Sequence, residues 1–133
     1  MTPFRLQIVT PDRTVFDGEV EEIIVRTTVG DKGVLARHEP YVAALTIGRL
    51  KVKIGGAFRT AAISEGIIKV EKEKTIVLVQ SCEWAEEIDR GRAEKAKTVA
   101  EERMKNASDR DYLVAEYKLK RAINRIETHE TYK

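Results

Sequence analysis

Arg49-Leu50-Lys51-Val52-Lys53-Ile54-Gly55-Gly56 alternates polar and apolar side chains for six residues and then meets two glycines. A period of two sends Leu50, Val52 and Ile54 to one face of an extended chain. Two glycines accept the positive φ angles of a tight hairpin turn, and Phe58 to Ile63 is read as the returning strand. Working outward, Ile67 to Val70, a charged turn at Glu71 to Lys74, and Thr75 to Gln80 make a further hairpin. Upstream, Leu6 to Val9 is a strand. Val20 to Thr28 carries Ile23, Ile24 and Val25, whose branched Cβ atoms favour a pleated chain. Short strands with frequent turns predict an antiparallel β-sandwich. Its core is assigned to Ile23, Val25, Leu45, Val52, Ile63, Val70, Val77 and Val79.

The chemistry changes after Trp84. Residues 1–84 and residues 85–133 each hold 12 basic and 11 acidic side chains, so charge density nearly doubles in the shorter second part. All three prolines and seven of eight glycines lie in the first part. The second is rich in Ala, Glu, Lys and Arg, which are helix formers. One helix is predicted from Ile88 to Lys105, with Ala93, Ala96, Ala100 and Met104 at helical spacing. Asn106 to Asp109 is a break, and Ser108 or Asp109 can cap a second helix from Asp111 to Ile126. In that helix Tyr112, Ala115, Leu119, Ala122 and Ile126 form a heptad-like seam. The chain therefore reads as an α+β protein with a β-sandwich domain, 1–84, and a helical-hairpin domain, 85–133. Alanine buries little apolar area, so the hairpin is expected to be weakly held.

Several function classes are excluded. Hydrophobic residues at 42% argue against a disordered chain, and a net charge of +2 gives no overall electrostatic case for nucleic-acid binding. A single cysteine, Cys82, precludes an intramolecular disulfide and fits a reducing compartment. The longest strongly apolar run is Ile76 to Val79, far short of the ~20 residues that span a bilayer. With no signal peptide read at the N-terminus, a cytoplasmic location is expected. The phosphate-binding glycine loop, the dinucleotide fingerprint, C-x-x-C, H-E-x-x-H and G-x-S-x-G are all absent. His38 and His129 fall in different halves, the latter near an end expected to fray. No catalytic residue and no metal site is assigned.

Gly30-Asp31-Lys32-Gly33-Val34-Leu35-Ala36-Arg37-His38-Glu39-Pro40 resembles the G-x-x-G-[IV]-L-x-x-H-x-P signature of the epsilon subunits of bacterial F-type ATP synthases. Val9-Thr10-Pro11 with Phe16, and Ile63-Ser64-Glu65-Gly66-Ile67-Ile68-Lys69-Val70, resemble further blocks of that family. Glu65 is a departure, since many relatives have glycine there. Ile88-Asp89-Arg90-Gly91-Arg92-Ala93 is similar to the family's I-D-x-x-R-A motif, and Lys120-Arg121-Ala122-Ile123-Asn124-Arg125 to its second-helix block. The resemblance runs through essentially the whole chain in order.

It implies a non-catalytic rotor subunit, peripheral on the cytoplasmic face of the plasma membrane and not membrane-spanning, that couples proton flow to ATP synthesis. The sandwich would bind the gamma subunit and rest on the c-ring, with Asp31 and Lys32 at the tip of the 30–40 loop and His38 in it. The helices would extend between the alpha and beta subunits to block hydrolysis and would fold back when ATP is bound. ATP is thus a regulatory ligand; whether Mg2+ accompanies it is left open. The implied ATP-binding residues are Glu83, Ile88, Asp89, Arg92, Ala93, Arg121 and Arg125. Arg121 and Arg125 share a helix face. An antiparallel hairpin brings them toward Asp89 and Arg92, where guanidinium forks suit phosphate and an ionised carboxylate suits the adenine amino group. Val99 departs from relatives with a basic residue at its position.

Plainer readings stand beside these. Asp89 can be a helix cap with Arg92 as its partner, and Arg121 and Arg125 a solvated face. His38 can be a surface histidine of a tight loop, and Gly30 and Gly33 turn glycines. The rival to a rotor subunit is a free-standing β-sandwich adaptor whose basic hairpin binds an acidic partner or nucleic acid. A nucleotide hydrolase is disfavoured by the missing phosphate loop.

Overall fold

The hairpin beginning at Arg49 lies inside a ten-stranded sheet. A computed structural model describes residues 2–132 and divides the chain into two compact units, Met1–Trp84 and Ala85–Lys133. The strands are β1 (Phe4–Val9), β2 (Thr14–Val20), β3 (Glu22–Thr27), β4 (Gly30–Leu35), β5 (Tyr41–Leu45), β6 (Gly48–Ile54), β7 (Ala57–Ile63), β8 (Gly66–Val70), β9 (Lys74–Val79) and β10 (Cys82–Trp84). Neighbours run β10-β7-β6-β3-β5-β8-β9-β1-β2, with β4 paired to β3.

The two ends of that order meet. Phe16 on β2 and Trp84 on β10 pack edge to face, with ring centroids 6.2 Å apart. A sheet whose terminal strands touch has curled back on itself. Its inner faces enclose one core to which every strand contributes, among them Leu6, Val20, Val34, Leu50, Ile68 and Trp84. This is the predicted sandwich, and all eight assigned core residues are buried. Ile54 is not: at the lip of the Gly55-Gly56 turn it is exposed. That turn has φ of 58° and 81° at its two glycines.

Three details correct the sequence reading. First, one strand pair, β1 with β9, is parallel. Second, Val20 to Thr28 is two strands broken at Glu21. Third, β2, β4, β5 and β10 went unread, for physical reasons. β2 pairs only with β1 and is polar along much of its length (Thr14, Asp17, Gly18, Glu19). β4 contains two glycines and two charges, and β10 is three residues long.

In the second unit a 3-10 turn, Ala85–Glu87, leads to α1 (Arg90–Lys105) and α2 (Asp109–Glu130). Asp89 is the N-cap of α1 and not part of the helix, while α2 is longer at both ends than predicted. Ser108, not Asp109, caps α2. The buried faces use Ala93 and Ala100 on α1, and Ala115 and Ala122 on α2. Ala96, expected in the seam, is exposed; Lys97 and Met104 are the half-buried residues that continue the α1 stripe. Tyr112 also lies outside, with Leu119 and Ile126 half-buried. A stripe that turns on 93, 97, 100 and 104 keeps the 3.5-residue spacing of a two-helix seam.

Candidate functional site at the mouth of the helix pair

α1 begins in an unusual way. Its first turn holds no acidic residue and instead carries Arg90 and Arg92, against the dipole preference of a helix N-terminus. α2 is ordinary in this respect, with Asp109 and Asp111 in its first turn. Asp89 accepts a hydrogen bond on Oδ1 from the backbone N–H of Arg92 at 3.0 Å. The plain capping role is therefore real, and it engages the Arg92 amide, not its guanidinium. A carboxylate has a second oxygen, so the cap does not exhaust Asp89 as an acceptor.

The register of the pair is fixed by a contact absent from the sequence reading. Arg90 donates from Nη2 to Glu130 Oε1 at 2.9 Å and from Nε to Glu94 Oε1 at 3.2 Å. Its guanidinium is held above its usual pKa, first by the hydrogen bond to Glu94; desolvation opposes this, and Glu130 adds to the rise. The start of α1 thus stands beside the end of α2. His129, expected near a frayed end, is within α2, and its Nδ1 lies 3.1 Å from the carbonyl oxygen of Ala85. Thr128 is fully buried, and its Oγ1 has no hydrogen-bond partner among the described residues. The Arg90–Glu94 spacing was visible as an i, i+4 pair, but Glu130 could be matched to it only with the hairpin register in hand.

The remaining predicted residues fall as follows. Arg92 is exposed, while Arg121 and Arg125 are half-buried. Arg121 holds its guanidinium 5.7 Å from the ring centroid of Tyr117, four residues back on its own helix. At ~1.5 Å per residue, Arg125 and Arg121 lie about 8 and 14 Å along α2 from Glu130. They occupy successive turns of α2 back from Glu130. Ile88 and Ala93 are buried. Glu83 is half-buried on β10, opposite Ala62 of β7, and belongs to the first unit. Val99 is exposed near the other end of the pair, in a groove with Glu102, Arg103, Asn106 and Val114.

The 30–40 segment is not the loop expected. Gly30 to Leu35 is strand β4, so Asp31 and Lys32 are strand residues, with Asp31 opposite Arg26 and ion-paired to it. Arg26 is correspondingly raised in pKa, chiefly by its hydrogen bond to Asp31. The tip of the β3–β4 hairpin is Thr28 and Val29, and Val29 is 90% exposed. Gly30 has the positive φ of a turn glycine, at 121°, whereas Gly33 sits inside the strand. His38 lies in the following turn. Its ring meets Tyr41 edge-on at 5.9 Å, and its Nδ1 is 2.7 Å from the Glu39 carbonyl oxygen. Lys32 Nζ lies 4.9 Å from the centroid of the same tyrosine. Among the described residues no cluster of potential metal ligands occurs, and no helix is long and apolar enough to cross a membrane.

Comparison with known proteins gives a consistent result. A family model described as the beta-sandwich domain of the ATP synthase Delta/Epsilon chain matches residues 3–85. A second, the long alpha-helix domain of the same chain, matches residues 86–130. Similar curated proteins include the ATP synthase epsilon chains of Alkaliphilus metalliredigens (50% identical, covering 92% of each chain) and Ruminococcus albus (43% identical, covering 95% of this chain and 96% of that one). Among solved structures, a chain of the Euglena gracilis mitochondrial ATP synthase, in an assembly of OSCP, F1 and c-ring, superposes with a TM-score of 0.80 at 27% identity. It covers 90% of this chain and 77% of that one. A chain from the Tetrahymena thermophila enzyme shares the fold at a TM-score of 0.60 and 16% identity.

Proposed function

This chain belongs to the ATP synthase delta/epsilon chain family, and from that premise we propose that it is a non-catalytic part of the enzyme's central stalk that also restrains ATP hydrolysis. Its place would be at the membrane surface, on the cytoplasmic face. The sandwich would sit against the gamma subunit and the c-ring, its single core spanning all ten strands making it a stiff element for transmitting rotation. The β3–β4 hairpin, with Val29 at its tip, is a better candidate for the c-ring contact than Asp31 and Lys32, which lie back along the strand. His38, packed on Tyr41, would then serve mainly to hold its own turn.

The helix pair would be the part that moves. The observation that carries this reading is the composition of its buried faces, where the fully buried apolar residues of α1 and α2 are all alanines. Alanine offers much less apolar area than leucine, so separating the helices costs little hydrophobic stabilisation. Two states a few kcal/mol apart are what a ligand can choose between. Opened, the helices would reach the alpha and beta subunits.

ATP is the proposed ligand of the closed pair. A helix start whose first turn carries Arg92 and no acidic residue is suited to an anion. Arg92, Arg125 and Arg121 descend from the mouth in an order that a triphosphate could follow. Asp89, capping with one oxygen, would accept from the adenine amino group with the other. Ile88 and Ala93, being buried, would fix the backbone on which Asp89 and Arg92 stand. Titration with and without Mg2+ would decide whether the ion accompanies the phosphates.

The test is ATP hydrolysis by the assembled complex with and without residues 85–133. Removal is expected to raise hydrolysis severalfold at low ATP and to change little at high ATP. Equal rates at all ATP concentrations would remove the inhibitory role, and a calorimetric titration without heat at millimolar ATP would remove the sensing role.

A further inference from the structure

The last turn of α2 is held across the mouth at two points that the proposed nucleotide site does not use. Arg90 reaches Glu130, 40 residues away in sequence, and His129 reaches the carbonyl of Ala85, 44 residues away. We propose that Arg90 and Glu130 form a latch that sets how readily the helix pair opens, a role that rests on the reading that opening is what the pair does.

The placement of Arg90 is otherwise hard to account for. A cation in the first turn of a helix is disfavoured by the dipole, and no acidic residue in that turn relieves it. Its compensation comes from Glu94 on the next turn and from Glu130 on the facing helix. The two carboxylates differ in consequence. Glu94 stays with Arg90 whatever the helices do, since it is four residues along the same helix. Glu130 leaves when the pair opens. Arg90 therefore passes from two partners to one when the pair opens, and Glu130 alone loses its partner.

Position gives the contact its leverage. The connection between the helices is at Asn106 to Ser108, so the opposite end, where Arg90 and Glu130 meet, is where separation starts. Their side chains are 43% and 51% exposed, which makes the contact salt-sensitive and moderate in strength. Exposed pairs of this kind correspond to roughly 1.4- to 5-fold in an equilibrium. With an alanine seam behind it, a threefold change in opening is a substantial part of the balance.

The experiment is a double-mutant cycle on the full chain, with Arg90→Gln, Glu130→Gln and the pair together, read by amide hydrogen exchange over residues 124–131 at low salt. Each single variant is expected to speed exchange there about threefold. The double variant should be no faster than either single, and ~0.5 M salt should bring the wild type to the variants' rate. If the double variant equals the product of the two singles, the residues are uncoupled and the latch is refuted. In the assembled complex Glu130→Gln should deepen inhibition of hydrolysis at low ATP. Should deletion of 85–133 leave hydrolysis unaltered, the switch reading is what fails, and the exchange cycle still decides the latch.

Discussion

Thr128 shows how much a single side chain can weigh in a weakly held helix pair. It is fully buried and its hydroxyl is unpartnered among the described residues. An unmade hydrogen bond at a buried group costs ~1–3 kcal/mol, and a same-shaped apolar replacement removes that cost. Valine has nearly the same shape and a similar helix propensity. Thr128→Val is therefore expected to stabilise the helical unit by about 1 kcal/mol, measured as a later urea midpoint of the helical circular-dichroism signal. No gain would mean that the hydroxyl is satisfied in solution. Asp17 makes a different point. Arg5 donates to its Oδ1 from Nε at 2.8 Å, and this bond is the main reason its carboxyl is held below the ordinary range; Gln7 adds to the effect while desolvation opposes it. A lowered folded pKa means a contribution present above the unfolded value and lost as pH falls through the folded one. Asp17→Asn should thus be slightly less stable than wild type near neutrality, and the two melting temperatures should converge as the solution is acidified below pH ~4. A gap that persists into strong acid would assign the effect to packing.

Among the elements, β8 and β9 depend most on one residue type. A Cβ placed on Gly66 would lie 1.9 Å from the carbonyl oxygen of Leu78 and 2.7 Å from the Cα of Val79, the register partner of Gly66. Backbone cannot give way there as a side-chain tip could. Gly66→Ala is expected to cost about 3 kcal/mol and to lower the melting temperature of the sandwich by roughly 12–24 °C. A fall of only a degree or two would show that the strands separate cheaply. Nothing in the sequence alone flagged Gly66 as the critical glycine, because the approach comes from a strand more than ten residues away. The same limit explains what else was legible. Strict alternation exposed β6, and β-branched runs exposed β3 and β9, since those patterns are local. β4 was hidden because Gly30, Asp31, Lys32 and Gly33 make a turn-like composition whose strand state is imposed by pairing with β3. The helices were readable from spacing and composition, which narrowed the cap of α2 to Ser108 or Asp109. Lys97 in the seam was not, because Ala96 fits an apolar pattern better than the geometry allows. Of the candidate site, Asp89 and the arginines could be picked out by motif, but Arg90, Glu130 and Thr128 become visible only when the two helices are set in register.

At the scale of the whole chain, two units with different means of support should respond differently to denaturant. The sandwich is held by long aliphatic and aromatic side chains drawn from ten strands, and the helix pair by alanines with two polar ties at its mouth. A probe for each is built in. Helical circular dichroism arises almost wholly in residues 90–130. Trp84, the only tryptophan, is 4% exposed, edge-on to Phe16 and with Arg59 stacked 3.8 Å from its ring centroid, so its emission reports the sandwich. The helical signal is expected to fall at a lower urea concentration than the tryptophan signal, because coincidence of probes is the mark of a single cooperative unit. ATP binds the closed pair in the proposed function, and a ligand at ten times its dissociation constant adds about 1.4 kcal/mol to the state it binds. Saturating ATP should therefore move the helical transition upward while leaving the tryptophan transition nearly where it was. Arg92→Ala should abolish that shift without altering either transition in the absence of nucleotide. If both probes report one transition at one midpoint, the helix pair has no independent stability for a nucleotide to adjust, and its opening would have to be driven by the rest of the enzyme instead.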